Sequence, residues 1–330
     1  MQVFITGATG FVTGRVARRL IDRGDGVRAL VRDTARAGRL DGADLVQGDL
    51  ANEQALRVGI DGVDAVIHGA AMYEIGLTKA QRDAMLAANV RGTAHVLSAA
   101  KAAGVQRVVY ISTIAVFGNT HGQIVDETFR RTDSSYTSYY EETKAKAHEV
   151  AEGFAQDGLP LVIVQPGQVY GPGDHSGFGG LLSSFARGRL PVLPFPDLGL
   201  NMTFVDDIAA GIVLALDEGK PGRSYIMGGE MGRAAAIFGT LARVLRRDPP
   251  RWHLPYRVLE LAATVRPQLR EVISSAKGVT FWATDDRARA ELGYSPRSLA
   301  DGFRETFTSG AQPATSDATH ASAGTHEGKA

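Results

Sequence analysis

The sequence predicts an α/β fold with an open, doubly wound parallel sheet. Three features carry that expectation. Short apolar runs alternate with stretches of helical periodicity through the first half of the chain. The connections between successive runs are long enough to hold a helix, as parallel pairing requires. A glycine-rich turn, Gly7-Ala8-Thr9-Gly10, joins the first run to the first helical stretch.

In chain order, Gln2–Thr6 is an apolar strand. Phe11–Arg23 then places Val12, Val16 and Leu20 at helical spacing and stops at Gly24 and Gly26. Val27–Val31, Asp44–Gln47, Ala65–Ile67, Arg107–Ile111 and Leu161–Gln165 continue the strands, with a sheet-covering helix beginning at Asn89–Thr93 and another over Ser138–Gln156. The texture changes after Tyr170. Gly171–Gly180 is glycine-rich and Arg189–Asn201 is proline-rich, which suits loops. Helical patterns return at Asp206–Asp217, Ala234–Arg247 and Arg257–Val265. The expected organisation is therefore a sheet domain over 1–170 with a return segment at about 201–226, and a smaller substrate-binding domain over 171–200 and 227–308. The last residues, 309–330, are small and polar without periodicity and predict a disordered tail; His320 and His326 belong to it as solvated side chains rather than metal ligands.

Composition narrows the function. The chain has 330 residues, 44% hydrophobic, with 36 basic residues balancing 36 acidic ones. A zero formal charge argues against nucleic acid as a partner. The absence of cysteine removes disulfides, thiolate metal sites and a cysteine nucleophile, and no metal site is expected. No apolar run approaches the roughly 20 residues that span a bilayer, so no membrane partner is expected. A strand opening at Gln2 leaves no room for a targeting segment, and the expected location is cytoplasmic.

A glycine turn between strand and helix lets backbone approach a pyrophosphate, while the helix start offers free N–H groups and a positive dipole end. This is the Rossmann dinucleotide site, with Gly7, Thr9, Gly10, Phe11 and Val12 as its cofactor contacts. The third glycine position falls on Thr13, with Gly14 following. At the end of the second strand, Arg32 precedes Asp33. A cation there accommodates the 2′-phosphate of NADP, whereas an acid turned inward would bind the ribose hydroxyl of NAD. Arg32 comes first, which favours NADP(H).

Tyr140 and Lys144 lie one helical turn apart, so both reach one site. Tyrosine ordinarily titrates near pH 10, and a nearby ammonium is expected to stabilise its phenolate so that it exchanges a proton with a carbonyl or alcohol. Ser112-Thr113, where Arg107–Ile111 ends, can project a hydroxyl into the same crevice.

TGATGFVTG, VIHGAA, NVRGT, YISTIAVFG, YYEETK, QPGQVYGPGD, TFVDDIA and DDRARAELGYSPRSLADGFRET occur in an order that resembles the extended short-chain dehydrogenase/reductases, the NAD-dependent epimerase/dehydratase group. The resemblance covers about residues 1–308. It implies that Tyr140 is the general acid/base and that Lys144 holds the nicotinamide ribose and depresses the tyrosine pKa. Thr113 takes the place of the hydroxyl that polarises the substrate oxygen, with Ser112 the weaker candidate. Asn89 matches the helix asparagine that anchors a proton-relay water, a structural hydrogen bond being the alternative. Asp49 and Leu50 match adenine contacts, Gly69, Ala70 and Ala71 line the ribose and pyrophosphate, and Pro166, Gly167 and Val169 flank the carboxamide. Met72, Tyr73 and Gln168 are expected to touch substrate. The resemblance further implies a homodimer through helices near Ala80–Ala103 and Ser138–Gln156.

Two departures select a branch. Ile114 and Ala115 stand where the sugar dehydratases carry an acidic pair, and leucine stands at the diphosphate-gripping arginine position within Leu198–Asp207. The first removes the acid and base of the dehydratase elimination; the GLN-type sequence within the second stretch and the proline- and aromatic-containing stretch Pro249–Tyr256 resemble the dihydroflavonol-4-reductase-like and hydroxysteroid-dehydrogenase-like branch. Leu190, Val192, Leu193, Phe195 and Trp252 could wall an apolar pocket, or form the core of the smaller domain. The expected activity is NADP(H)-dependent carbonyl reduction or alcohol oxidation on a small hydrophobic ketone or secondary alcohol; the alternative is an NAD-dependent nucleotide-sugar 4-epimerase using the same Thr-Tyr-Lys site.

Overall fold

Strand β1 (Gln2–Thr6) is buried from Val3 onward and lies inside the sheet, with a strand paired on either side. The computed structural model describes residues 1–308 apart from positions 38, 39, 132, 134, 251 and 267, so the predicted tail lies outside the described residues. From β1 the chain runs through α1 (Thr13–Asp22) to β2 (Gly26–Val31) and β3 (Ala43–Gln47) on one side. Through α2 (Glu53–Ile60) it then crosses to β4 (Ala65–His68), the other neighbour of β1. Helices α3 (Lys79–Leu86) and α4 (Gly92–Ala102), β5 (Arg107–Ile111), α5 (Tyr139–Gln156) and β6 (Leu161–Pro166) extend that side.

After β6 come β7 (Gln168–Tyr170), α6 (Gly177–Ala186), β8 (Val192–Leu193), β9 (Gly199–Phe204) and α7 (Val205–Glu218). Strand β10 (Ser224–Met227) then returns to pair parallel with β6. The finished sheet has seven parallel strands in the order β10-β6-β5-β4-β1-β2-β3. Strand order reverses between β1 and β4, and the crevice at their C-terminal ends is where such sheets bind ligands. The remaining elements are β11 (Glu230–Arg233), α8 (Ala234–Leu245), β12 (Trp252–His253), α9 (Tyr256–Val265), α10 (Gln268–Ser274), α11 (Asp286–Leu292) and α12 (Leu299–Phe307).

Alternation of side chains across the pleat divides the core between two faces. Val3, Ile5, Val16, Leu20, Val164 and Ile212 fill one, under α1 and α7. Phe4, Leu56, Val66, Val96, Leu97 and Ala151 fill the other, under α2, α4 and α5. Burial on both faces explains why strands such as β4 and β6 are buried at every residue. A third core, around Tyr170, Leu182, Phe204, Phe238 and Phe303, belongs to the C-terminal elements.

The structure corrects several local expectations. Gly177–Ala186 is a helix, capped by Ser176, with Leu182 and Phe185 buried. The helix expected to begin at Asn89 starts at Lys79, behind a Thr78–Gln81 capping box, and passes through a π-helical turn at Ala87–Arg91. Leu193 is buried and Leu190 packs against the third core, so these two are core residues. Trp252 is 71% exposed and is not part of that core.

Candidate active site

Gly7 takes φ +78°, and a Cβ there would lie 2.8 Å from the Ala70 amide nitrogen. Only glycine lets the β1 turn pack so closely on the Gly69–Ala70 loop that follows β4. The Gly10 N–H closes the turn on Gly7 O at 2.8 Å. The Thr13 hydroxyl donates to the same Gly7 carbonyl, and its methyl fills the space over Gly69. The close-approach role falls one residue later: a Cβ on Gly14 would sit 2.9 Å from Ala8 O. Val12 at the N-cap provides no side-chain cap; the Gly14 and Arg15 N–H groups donate to Gly10 O and Val12 O, which leaves the Thr13 N–H at the helix start available to a ligand. A glycine cradle opening onto an uncapped helix start fits a dinucleotide pyrophosphate.

At the edge of this crevice, Arg32 is exposed and has no bonded partner among the described residues. The Asp33 carboxylate accepts the Ala35 N–H at 2.9 Å, capping a short 3₁₀ turn. Asp49 Oδ1 accepts the N–H groups of Ala51 and Asn52 at 2.9 and 3.1 Å, fixing the turn that presents Leu50. Leu50 lies against Gly92, where any Cβ would collide with it. Gly167 is equally confined, its missing Cβ 2.4 Å from Asn201 O. Val169 and the half-buried Gln168 follow in β7, after β6 ends at Pro166.

Tyr140 and Lys144 occupy the first turns of α5, which Ser138 caps by accepting the Glu141 N–H at 3.2 Å. The Thr113 hydroxyl faces the Tyr140 phenol and also accepts the Ala115 N–H at 3.2 Å. Ser112 points away, paired with His148 Nδ1 at 2.9 Å, so Thr113 is the hydroxyl at the site. Tyr73, half exposed, meets the Tyr140 ring edge-on at 4.7 Å. Ala71 is exposed at the loop that leads from β4 to Met72 and Tyr73.

The expected electrostatics of this pair need correction. The Lys144 ammonium does not bond Tyr140. It donates to Ile111 O at 3.0 Å and to the Tyr110 hydroxyl at 3.3 Å. Burial pushes the Tyr140 phenol above its ordinary range, Tyr73 and Tyr110 add to the rise, and Thr113 opposes it. Burial also lowers Lys144 to about 7. Loss of hydration disfavours each charged form, and no attraction between the two offsets it.

Asn89 sits in the π-helical turn and is 1% exposed. Its Nδ2 donates to Met72 O at 3.1 Å and to Thr143 Oγ1 at 3.0 Å, while its Oδ1 accepts the Met72 N–H at 2.8 Å. Its own carbonyl accepts the Thr93 hydroxyl at 2.6 Å. Through these bonds Asn89 fastens the Met72 loop to α5.

Sequence reasoning missed a buried polar chain behind Lys144. His68, fully buried at the end of β4, bonds Thr6 through Nδ1 at 2.7 Å and Thr93 through Nε2 at 3.0 Å. Its ring stacks on Tyr110 at 5.6 Å. The available signal was a histidine and a tyrosine at strand positions whose neighbours are aliphatic. Among the described residues no cluster of three His, Asp or Glu could hold a metal, and no helix is long and apolar enough to cross a membrane.

The sequence pattern described as the NAD dependent epimerase/dehydratase family matches residues 3–228. A provisionally assigned dihydroflavonol 4-reductase of Synechocystis sp. is 32% identical, over 91% of this chain and 83% of its own. The 3 beta-hydroxysteroid dehydrogenase/Delta 5-->4-isomerase of Mycobacterium tuberculosis is 29% identical, over 89% and 86%. The crystal structure of gox2253 superposes with a TM-score of 0.79 at 32% identity, covering 93% of this chain and 96% of that one.

Proposed function

The chain belongs to the NAD dependent epimerase/dehydratase family, and on that premise we propose that it is an NADP(H)-dependent carbonyl reductase or alcohol dehydrogenase acting on a small hydrophobic ketone or the matching secondary alcohol. The observation that carries the reading is the placement of two hydroxyls, Thr113 and Tyr140, facing each other in a half-buried crevice, with Lys144 one helical turn from the tyrosine.

Gly7, Thr9, Gly10, Phe11 and Val12 would hold the pyrophosphate; Asp49 and Leu50 the adenine; Gly69, Ala70 and Ala71 the adjoining ribose; and Pro166, Gly167 and Val169 the carboxamide. Tyr140 and Lys144 would hold the nicotinamide ribose. The bound nicotinamide supplies or accepts the hydride. Tyr140 moves the proton: its raised pKa keeps the phenol protonated at neutral pH, ready to donate to the substrate oxygen as the carbon is reduced. Thr113 donates a second hydrogen bond to that oxygen, where negative charge develops. Met72 and Tyr73 line the approach, held by Asn89, and Gln168 borders it from β7.

Two observations favour NADP(H). Arg32 is exposed and uncommitted, while Asp33, the residue that could turn inward toward a ribose hydroxyl, caps its own turn. The epimerase alternative is weakened in β9, where Leu200 is buried in the third core and offers no cation to a sugar diphosphate. A cytoplasmic homodimer paired through α3–α4 and α5 completes the proposal.

The test requires no knowledge of the substrate. Protein purified, desalted and denatured should release little nicotinamide cofactor, and the empty site should bind NADPH more tightly than NADH. Stoichiometric retained NAD would overturn both the cofactor choice and the reductase reading, since an epimerase regenerates its cofactor at each turnover.

A further inference from the structure

Lys144 is 3% exposed and has no carboxylate partner among the described residues. A buried ammonium needs acceptors, and two are present: the Ile111 carbonyl and the Tyr110 hydroxyl. The first is backbone and invariant to side-chain identity. The second is a strand residue facing the core, where an aliphatic side chain would pack as well.

The groups behind Tyr110 fix the direction of each hydrogen bond. The Ala70 N–H donates to Thr6 Oγ1 at 3.3 Å. Thr93 donates its hydroxyl proton to the Asn89 carbonyl, so toward His68 it acts as acceptor. His68 must then carry its proton on Nε2, leaving Nδ1 to accept from the Thr6 hydroxyl. Burial and the nearby Lys144 charge lower His68 to about 3, consistent with a neutral ring. The Tyr110 hydroxyl faces Thr93 and turns its lone pair to Lys144 Nζ, which also lies 5.0 Å from the Tyr110 ring centroid. The chain thus begins at the loop after β4 and ends at the ammonium.

We propose that Tyr110 is a positioning residue for the reaction, its hydroxyl set by Thr93 and the stacked ring of His68 so that it holds Lys144 charged and in place at the C-terminal end of β5. This rests on the reading of Lys144 as part of the active site. The titratable groups against the ammonium are His68 from β4 and Tyr110 from β5, with Tyr140 one turn away on the same helix. Neutral histidine and neutral phenols supply dipoles and no counter-charge. Removing one acceptor therefore shifts the lysine toward its uncharged form.

Tyr110→Phe deletes one oxygen and preserves the ring. The Lys144 titration can be read directly from ¹³Cε-lysine NMR, since the chain holds only seven lysines and the signal absent from Lys144→Met identifies the residue. We expect its midpoint to fall by about one pH unit in Tyr110→Phe, the scale of a hydrogen bond to a charged group, and by less in Thr93→Val. The alkaline limb of kcat/KM should move down by the same amount. An unchanged Lys144 midpoint in a folded Tyr110→Phe variant overturns the proposal. The NMR titration uses neither cofactor nor substrate, so it succeeds or fails independently of the reductase reading. A shifted midpoint without any change in the rate profile would retain the electrostatic link and overturn its role in the reaction. If Tyr110→Phe fails to fold, Thr93→Val carries the same test, and a null shift there has the same force.

Discussion

The two ends of the crevice are built in opposite ways. At the catalytic end Lys144, His68, Thr93 and Asn89 are buried and bonded, with Tyr140 and Thr113 facing each other beside them. At the cofactor edge Arg32 and Asp33 stand exposed on the turn after β2, and Asp49 on the turn after β3. In the dry end, hydration loss dominates and moves pKa values far from their ordinary ranges. At the wet edge, solvent screens charges and a side chain affects only what it touches. Chemistry should therefore be fragile to single-atom changes in the interior, whereas cofactor preference should be adjustable on the surface without harm to the fold.

The sharpest way to break this comparison is Tyr140→Phe. Loss of the acid should lower kcat/KM by about 100-fold to 10,000-fold, a far larger loss than any fall in NADPH affinity from the missing ribose contact. A variant that retained turnover would show that the phenol moves no proton.

Acid stability probes the same interior. His68 is lowered to about 3 in the folded protein against an ordinary value of 6.5. The unfolded chain therefore binds a proton between those limits that the native state refuses, and stability falls as pH drops from 6.5 toward 3. Thermal melts of the wild type should lose Tm over that range more steeply than melts of His68→Gln. Equal slopes would mean that His68 charges without penalty.

At the wet edge, Arg32→Ser should weaken NADPH binding about tenfold, the value of one charge-assisted contact to phosphate. NADH binding and Tm should stay as they were. An equal loss for both cofactors would remove Arg32 from the choice between them. The smallest effect belongs to Trp252→Ser: with the indole 71% exposed, stability should change by less than about 0.5 kcal/mol in denaturant titration.

The same division explains what could be read from the sequence. Five of the strands before Tyr170 follow from apolar runs buried on both faces. The Gly7 turn and the Tyr140–Lys144 spacing were legible because local geometry imposes them. Helix α6 was hidden by its glycines, although Phe178, Leu181, Leu182 and Phe185 keep helical spacing. The small β7–β9–β11 sheet depends on pairing between distant segments, which no local period reveals. Lys144's true partners were illegible for a different reason. Spacing along α5 gives the face a residue occupies, but Tyr110 reaches it from another strand. Whether Trp252 lies in the core could not be read, because hydrophobicity alone does not say which apolar residues remain at the surface.

The most direct measurement of the central claim is NADPH consumption followed across a panel of hydrophobic ketones, with NADH in parallel. The account predicts that NADPH is oxidised in step with formation of the secondary alcohol, and faster than NADH. Sugar-nucleotide interconversion by enzyme carrying bound NAD, with no net change in cofactor and no ketone reduced, would contradict it.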